Sequence, residues 1–404
     1  MRASNPETAS PVVSTRALWW IGAIFFVVVH LVLITENLRA PNQPLGDITY
    51  TYPLWIAEAM TSGLWPGLTT DGVYPYLALI PMTIGAYGLN LWFGLCIAVD
   101  GIAWWVLARR SIAAAFAWLL FLAVLGPIAL GRIDVVTVAL AIAAIALVER
   151  SPRVAGVVIA IATWIKVWPI VLGLSALLTN RGSTVARWAF VSAVLIGGVG
   201  VALGDPAHVL SFLGSQQGRG IQIEAVAATP WLWDAWAGGV SRVIFTPEIF
   251  TFEVVGPGTA EVSTLITAIA AIALGIVALA VLRLTVRVKD RPAGFPFAAT
   301  ITLLVSMLVV VNKVGSPQFV SWYGVAVAVL VIWFHPRWSP TLLFGIGIIA
   351  VLTHVLYPYA YFDFVDLQYS PLMLITLRNA VEVAVLVVAA IATIRALRVE
   401  KLSK

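Results

Sequence analysis

The sequence predicts an all-α, polytopic membrane protein, and three observations carry that prediction. Hydrophobic residues make up 61% of the 404 and charged ones only 11%, against about 25% charged in soluble domains. Apolar runs of about 20 residues, each long enough to cross a bilayer core, recur from end to end. Lysine and arginine are sorted between the intervening loops as the positive-inside rule requires. The chain therefore reads as one integral membrane unit over 1–404 with no sizeable soluble domain. Its single cysteine, Cys96, lies in an apolar run, and the four histidines (His30, His208, His335 and His354) form no H-x-x-x-H pair. No disulfide framework, metal site or cofactor is expected, and no nucleic-acid partner.

The first span covers 17–35 behind a polar tail with Arg2 and Arg16, so it reads as a retained span with a cytoplasmic N-terminus. The loop 37–74 then lies outside, with a short surface helix over 52–63 and with Trp55 and Trp65 suited to the interface. The segment 74–87 is too short to cross and reads as a second surface piece. Spans at 89–107 and 112–130 follow, joined by Arg109-Arg110, and the second leads out to Gly131-Arg132-Ile133-Asp134. A fourth span returns to Glu149-Arg150-Ser151-Pro152-Arg153.

The segment 154–178 reads as a re-entrant hairpin turning at Lys166-Val167-Trp168-Pro169, because one full span would put Arg181 and Arg187 outside. Such a break is tolerated where it is buried in protein or lines a cavity. A span at 188–203 leads to the long outer loop 204–262. Spans at 263–282, 295–311, 322–334, 341–356 and 372–394 complete the chain, with the turn 283–291 and the basic tail inside. The expectation is about ten spans plus the hairpin, with no internal repeat.

Most of the 24 lysines and arginines fall in segments predicted to face the cytoplasm. Arg39, Arg132, Lys166, Arg219, Arg242, Lys313 and Arg378 do not, and a cation kept against the orientation bias is a site candidate. Arg39 and Arg242 read as solvated loop charges. Lys166, Arg219, Lys313 and Arg378 come from four separate segments, and together they suit a phosphate, whose oxygens arginine clamps with paired hydrogen bonds. The ordinary alternative is snorkelling, or pairing with Glu224, Asp134 or Glu382. Among the acids, Asp47 in Gly46-Asp47-Ile48-Thr49-Tyr50 stands at the start of the outer loop near the membrane. Asp71 has the setting of a turn and Glu58 that of a solvated helix face. One positioned carboxylate suffices as a general base toward a hydroxyl, so Asp47 is the candidate catalytic residue. Trp231-Leu232-Trp233-Asp234-Ala235-Trp236, Tyr357-Pro358-Tyr359-Ala360-Tyr361 and Trp65 offer rings for sugar faces, or an aromatic belt.

Taken together and in order, several motifs resemble those of the bacterial polyprenyl-phosphate-mannose-dependent α-(1,2)-mannosyltransferases, glycosyltransferase family 87 of the GT-C superfamily. They are Gly46-Asp47 with Tyr50, Tyr74-Pro75, Gly131-Arg132-Ile133-Asp134, and Ala162-Thr163-Trp164-Ile165-Lys166-Val167-Trp168-Pro169. Arg219-Gly220-Ile221-Gln222-Ile223-Glu224, Asn312-Lys313-Val314 with Ser316-Pro317-Gln318-Phe319, and Arg378-Asn379 complete the set. The resemblance implies a GT-C-like fold and metal-free, inverting transfer from a polyprenyl-phosphate sugar to an envelope glycolipid or glycan. The reaction would take place on the extracytoplasmic face of a bacterial plasma membrane, as is typical of actinobacteria. Asp47 matches the family's first-loop acid, and Tyr50, Arg132, Asp134, Glu224 and Gln318 would support it. The family also includes arabinofuranosyltransferases that use decaprenyl-phosphate arabinose, so both donors stay open. A lipid or sugar transporter is the alternative of a different class. It would place charges at the bilayer midplane, as only Asp100 and Glu382 are, and would show repeat symmetry.

Overall fold

The computed structural model describes residues 14–215, 218–247, 250–287 and 293–402. Arg2, Lys289, Arg291 and Lys404, all expected on the cytoplasmic side, lie outside the described residues. Helix α1 (Thr15–Arg39) starts behind Ser14, whose hydroxyl accepts from the Ala17 N–H at 3.2 Å. A single π turn, Asp47–Thr51, runs directly into α2 (Tyr52–Ser62). The short α3 (Leu79–Ala86) precedes α4 (Leu89–Arg110) and α5 (Ile112–Leu125). Then come α6 (Asp134–Leu147), α7 (Pro152–Ile165), α8 (Ile170–Ala176) and α9 (Gly182–Leu203).

The long loop holds α10 (Pro206–Val209), β1 (Ile221–Gln222), α11 (Thr229–Trp236), β2 (Arg242–Thr246) and β3 (Thr251–Val255). The second half is α12 (Thr259–Arg287), α13 (Phe295–Val310), α14 (Tyr323–Ile332), α15 (Ser339–His354), α16 (Tyr361–Val365) and α17 (Tyr369–Leu402). Proline stands in the first turn of α7, α13 and α15, where its missing N–H forfeits no intrahelical bond.

The polytopic helical class holds, with two differences from the sequence reading. First, among the described residues seven helices are long and apolar enough to cross a membrane: α1, α4, α5 with its extension to Ala129, α9, α12, α15 with its extension, and α17. Three other expected spans fall on α6, α13 and α14, with 14, 16 and 10 residues. At 1.5 Å per residue these reach about 21, 24 and 15 Å, short of the ~30 Å hydrocarbon core. The apolar runs are themselves this short, because each is bounded at one end by a turn carrying polar residues: Arg132 before α6, Lys313 after α13, and Gln318 before α14. Second, the long loop is not purely helical. It carries a three-stranded antiparallel sheet in the order β1-β3-β2, with Gln222 and Ile244 both opposite Glu253. Its two longer strands are Arg-Val-Ile-Phe-Thr and Thr-Phe-Glu-Val-Val, β-branched and aromatic runs that suit a pleated surface.

The helix break expected at Lys166–Pro169 is present: α7 stops at Ile165, Lys166 is extended (φ −154°, ψ 133°), and α8 begins at Ile170. Beyond it, α7 lies against α9, where a Cβ on Gly156 would meet the Ala189 nitrogen at 2.8 Å. Two ends of the bundle follow from these contacts. At one, Arg110 on α4 pairs with Glu149 at 2.9 Å, and the Ala293 N–H donates to the other Glu149 oxygen at 3.1 Å. At the other, the first loop, the turn before α6, the helix break, the long loop and the turns around Lys313 and Tyr357 converge.

Candidate active site

The Gly131–Asp134 turn organises this end. A Cβ on Gly131 would lie 2.7 Å from the Pro44 carbonyl oxygen, so only glycine lets the first loop rest on the turn. Arg132 then reaches back to that loop. Its Nη1 donates to the carbonyls of Pro44 and Gly131, its Nη2 to the Tyr357 hydroxyl at 2.9 Å, and its Nε pairs with Asp47 Oδ2 at 3.2 Å. Burial opposes the Arg132 charge, but Asp47, Tyr357 and Tyr52 more than offset it and the guanidinium is held above its ordinary value. The Ile133 N–H donates to the Tyr52 hydroxyl at 3.3 Å, which ties α2 to the same turn. Asp47 is thus fixed through one oxygen while its side chain stays 28% exposed. Tyr50, three residues on, is an exposed ring.

Two residues after Arg132, Asp134 opens α6 and faces the opposite way. Both its oxygens accept from Lys166 Nζ, at 2.9 and 2.7 Å, and Oδ1 also accepts from Trp322 Nε1 at 2.6 Å. The ammonium is caged by aromatic rings, with centroids at 4.9 Å for Phe319, 5.5 Å for Tyr74 and 5.6 Å for Trp322. Trp168 stacks on Trp322 at 5.2 Å and donates to Thr137 at 3.0 Å. Lys166 therefore takes the structural alternative: its charge is matched by Asp134 inside the protein.

The motifs around Arg219 and Lys313 form one unit. The Gln222 N–H donates to the Lys313 carbonyl at 2.9 Å, and Ser316 Oγ donates to Gln222 Oε1 at 3.0 Å. Gly315 lies so close to the backbone of Glu224 and Ala225 that any side chain there would collide with it. Lys313 is 4% exposed, and its Nζ donates to Ser263 Oγ on α12 at 3.2 Å; Ser263 in turn donates to the Arg219 carbonyl at 2.9 Å. Burial and the nearby Arg219 hold the Lys313 ammonium below the usual lysine range, with Glu253 acting the other way. Arg219 is half-buried, and its Nε has no hydrogen-bond partner among the described residues.

Glu224 is buried and accepts from the Tyr361 hydroxyl at 2.7 Å, and burial pushes its carboxyl up. Gln318 is half-buried in the turn Pro317–Trp322 that carries Phe319 and Trp322. Arg378 departs from the expectation of a phosphate ligand. At 2% exposure it is directed inward, where its guanidinium donates to the Glu224 carbonyl and to Asn379 Oδ1 at 3.2 Å, and its Nε lies 3.4 Å from Glu382. It ties α17 to the long loop.

A groove of about 650 Å³ runs from this end down the bundle. Tyr74, Lys166, Asn312 and Lys313 line its polar end, and apolar faces of α12 (Ile266, Ala270, Leu274 and Ala278) and α8 (Ile170 and Leu174) line the rest. Asp47, Arg219 and Arg378 are not among the lining residues. The link between groove and acid is Tyr74, a residue to which the sequence reading gave no role although Tyr74-Pro75 stood among its motifs. After burial, Asp47 and then Asp134 raise the Tyr74 phenol, while Arg219 and Arg132 act against them. Its ring also lies 5.5 Å from the Lys166 ammonium that pairs with Asp134.

Two outcomes follow. Replacing Asp134 by Ala leaves Lys166 buried and unmatched, a loss of about 3–5 kcal/mol, read as a lower unfolding midpoint in detergent; the double variant Asp134→Leu/Lys166→Met recovers most of it. A D134A protein as stable as wild type would show the pair to be dispensable. For Lys313, a folded pKa below the ordinary value means that the charge is lost at lower pH than on an exposed lysine. If the groove head binds an anion through Lys313, affinity for inorganic sulfate should therefore fall as pH rises through a range below ordinary lysine titration, and Lys313→Arg should move that fall to higher pH. A decline that K313R leaves in place would remove Lys313 from anion binding.

Residues 73–311 match glycosyltransferase family 87, which takes in Tyr74, Arg132, Asp134, Lys166, Arg219 and Glu224. Asp47 and Lys313 fall outside the matched stretch. No curated protein matches the chain. With more than half of its length matched, the chain belongs to glycosyltransferase family 87.

Proposed function

We propose that this membrane glycosyltransferase moves mannose from a polyprenyl-phosphate donor to a hydroxyl of an envelope glycolipid or polysaccharide, with inversion and on the extracytoplasmic face of a bacterial plasma membrane. The observation that carries the reading is a groove that is apolar along its length and headed by Lys313, Asn312 and Tyr74, next to the turn that fixes Asp47. Such a groove suits a lipid tail, and its head suits a phosphate.

In the proposed step the acceptor hydroxyl lies against Asp47 Oδ1, the oxygen that Arg132 leaves free. The acceptor oxygen attacks the anomeric carbon from the face opposite the phosphate. The bond from carbon to phosphate oxygen breaks, and its electron pair leaves with the phosphate. The hydroxyl proton passes to Asp47. Negative charge gathering on the phosphate is met by Lys313, with Arg219 behind it, in a poorly solvated setting where fixed cations act strongly. Arg132 orients the acid, and the Asp134–Lys166 pair keeps the groove wall in register with it.

The test is label transfer by purified protein in lipid nanodiscs. Decaprenyl-phosphate [14C]mannose and decaprenyl-phosphate [14C]arabinose are offered separately with n-octyl α-mannoside and envelope lipid extracts. Mannose label should move, and Asp47→Asn should lower turnover by about 10²–10⁴-fold, the contribution of a positioned base, with donor binding kept. Transfer of arabinose alone would replace the sugar in this reading, and full turnover by D47N would remove the base.

A further inference from the structure

Tyr74 packs its ring against the core and over the Lys166 ammonium, but that packing leaves its hydroxyl unaccounted for. It lines the groove beside Lys166, Asn312 and Lys313, and its ring is half-buried. Its hydroxyl makes no hydrogen bond among the described residues, although the charges of Asp47, Asp134, Arg219 and Arg132 all act on it. By contrast Tyr52, Tyr357 and Tyr361, three phenols at the same end, hydrogen-bond to the protein. The neighbouring ammonium, Lys166, is committed to both oxygens of Asp134. Of the groups around that pair, the phenol is the donor left facing the groove.

We propose that Tyr74 is a substrate-contacting residue whose hydroxyl donates a hydrogen bond to the phosphate of the lipid-linked donor. The inference rests on the reading of the groove as a lipid-phosphate site. In the transfer step the carbon–oxygen bond breaks toward the phosphate, the acceptor proton goes to Asp47, and Tyr74 keeps its own proton throughout. Burial and the two acids hold that proton on the phenol far above neutral pH, so it remains a donor over the whole working range. A hydrogen bond to a group gaining negative charge strengthens as the bond breaks, so its effect appears in turnover as well as in binding.

The experiment compares Tyr74→Phe, which removes only the oxygen, with Tyr74→Leu, which also removes the ring. Binding of decaprenyl phosphate alone to the nanodisc protein is measured alongside kcat and KM for transfer. Y74F should bind decaprenyl phosphate about 10- to 100-fold more weakly, the range for a lost hydrogen bond to a charged group, and should have a lower kcat at an unchanged unfolding midpoint. A ring that serves only as packing gives a different pattern, with Y74F equal to wild type in binding and kcat and Y74L impaired; that result overturns the proposal. If wild-type protein binds decaprenyl phosphate but transfers neither sugar, the transfer reading fails and the binding comparison still decides the role of Tyr74. If wild-type protein does not bind decaprenyl phosphate, both fall together.

Discussion

Two ion pairs of opposite sense, held two residues apart on one turn, position everything at the polar end of this bundle. Arg132 holds the acid of the first loop, and Asp134 holds the lysine of the helix break. Each charge would be expensive to bury alone, and each is tolerated because its partner comes from a distant segment. Because the backbone between Arg132 and Asp134 is short, the two pairs cannot drift relative to each other. The loop acid and the groove wall are thereby fixed in one frame, with the Trp322, Trp168 and Phe319 rings packed around the inner pair.

The short inner helices make room for this arrangement. Helix α6 begins only at Asp134, α13 ends at Val310 and α14 begins at Tyr323, so three neighbouring elements stop before the end of the bundle. Irregular backbone at such depth is tolerated when it is buried in protein or lines a cavity. Both conditions hold here: the turns bond to one another, as between Gln222 and Lys313, and they form the head of the groove.

Much of this was legible in the sequence, for identifiable reasons. Cations placed against the orientation bias pointed to Arg132, Lys166 and Lys313, and two of these line the same groove. Proline and an ionisable residue inside an apolar run marked the break at Lys166–Pro169. Which charge meets which was not legible. Asp134 and Lys166 are 32 residues apart, Arg132 and Tyr357 are 225 apart, and Arg378 and Glu224 are 154 apart, so tertiary packing decides each pairing. It also decided that Arg378 faces the interior. The small sheet carried a local signal in its β-branched and aromatic residues, but a reading tuned to windows of about 20 residues treats such short strands as loop. Tyr74 gave no signal of its own, because a tyrosine at a loop end is ordinary until its surroundings are known.

The groove follows α12 from Ile266 to Ala278, about 18 Å of helix, which is little more than half the depth of a ~30 Å hydrocarbon core. Moreover, α12 is the most loosely seated of the long helices, with only 6% of its apolar window buried. A bound isoprenoid would therefore be gripped only over its proximal segment, while the remainder spills between α12 and its neighbours into the surrounding bilayer. On the proposed reading of the groove as a lipid-phosphate site, such a protein would discriminate among lipids by what lies near the phosphate. It would be indifferent to how many units trail behind.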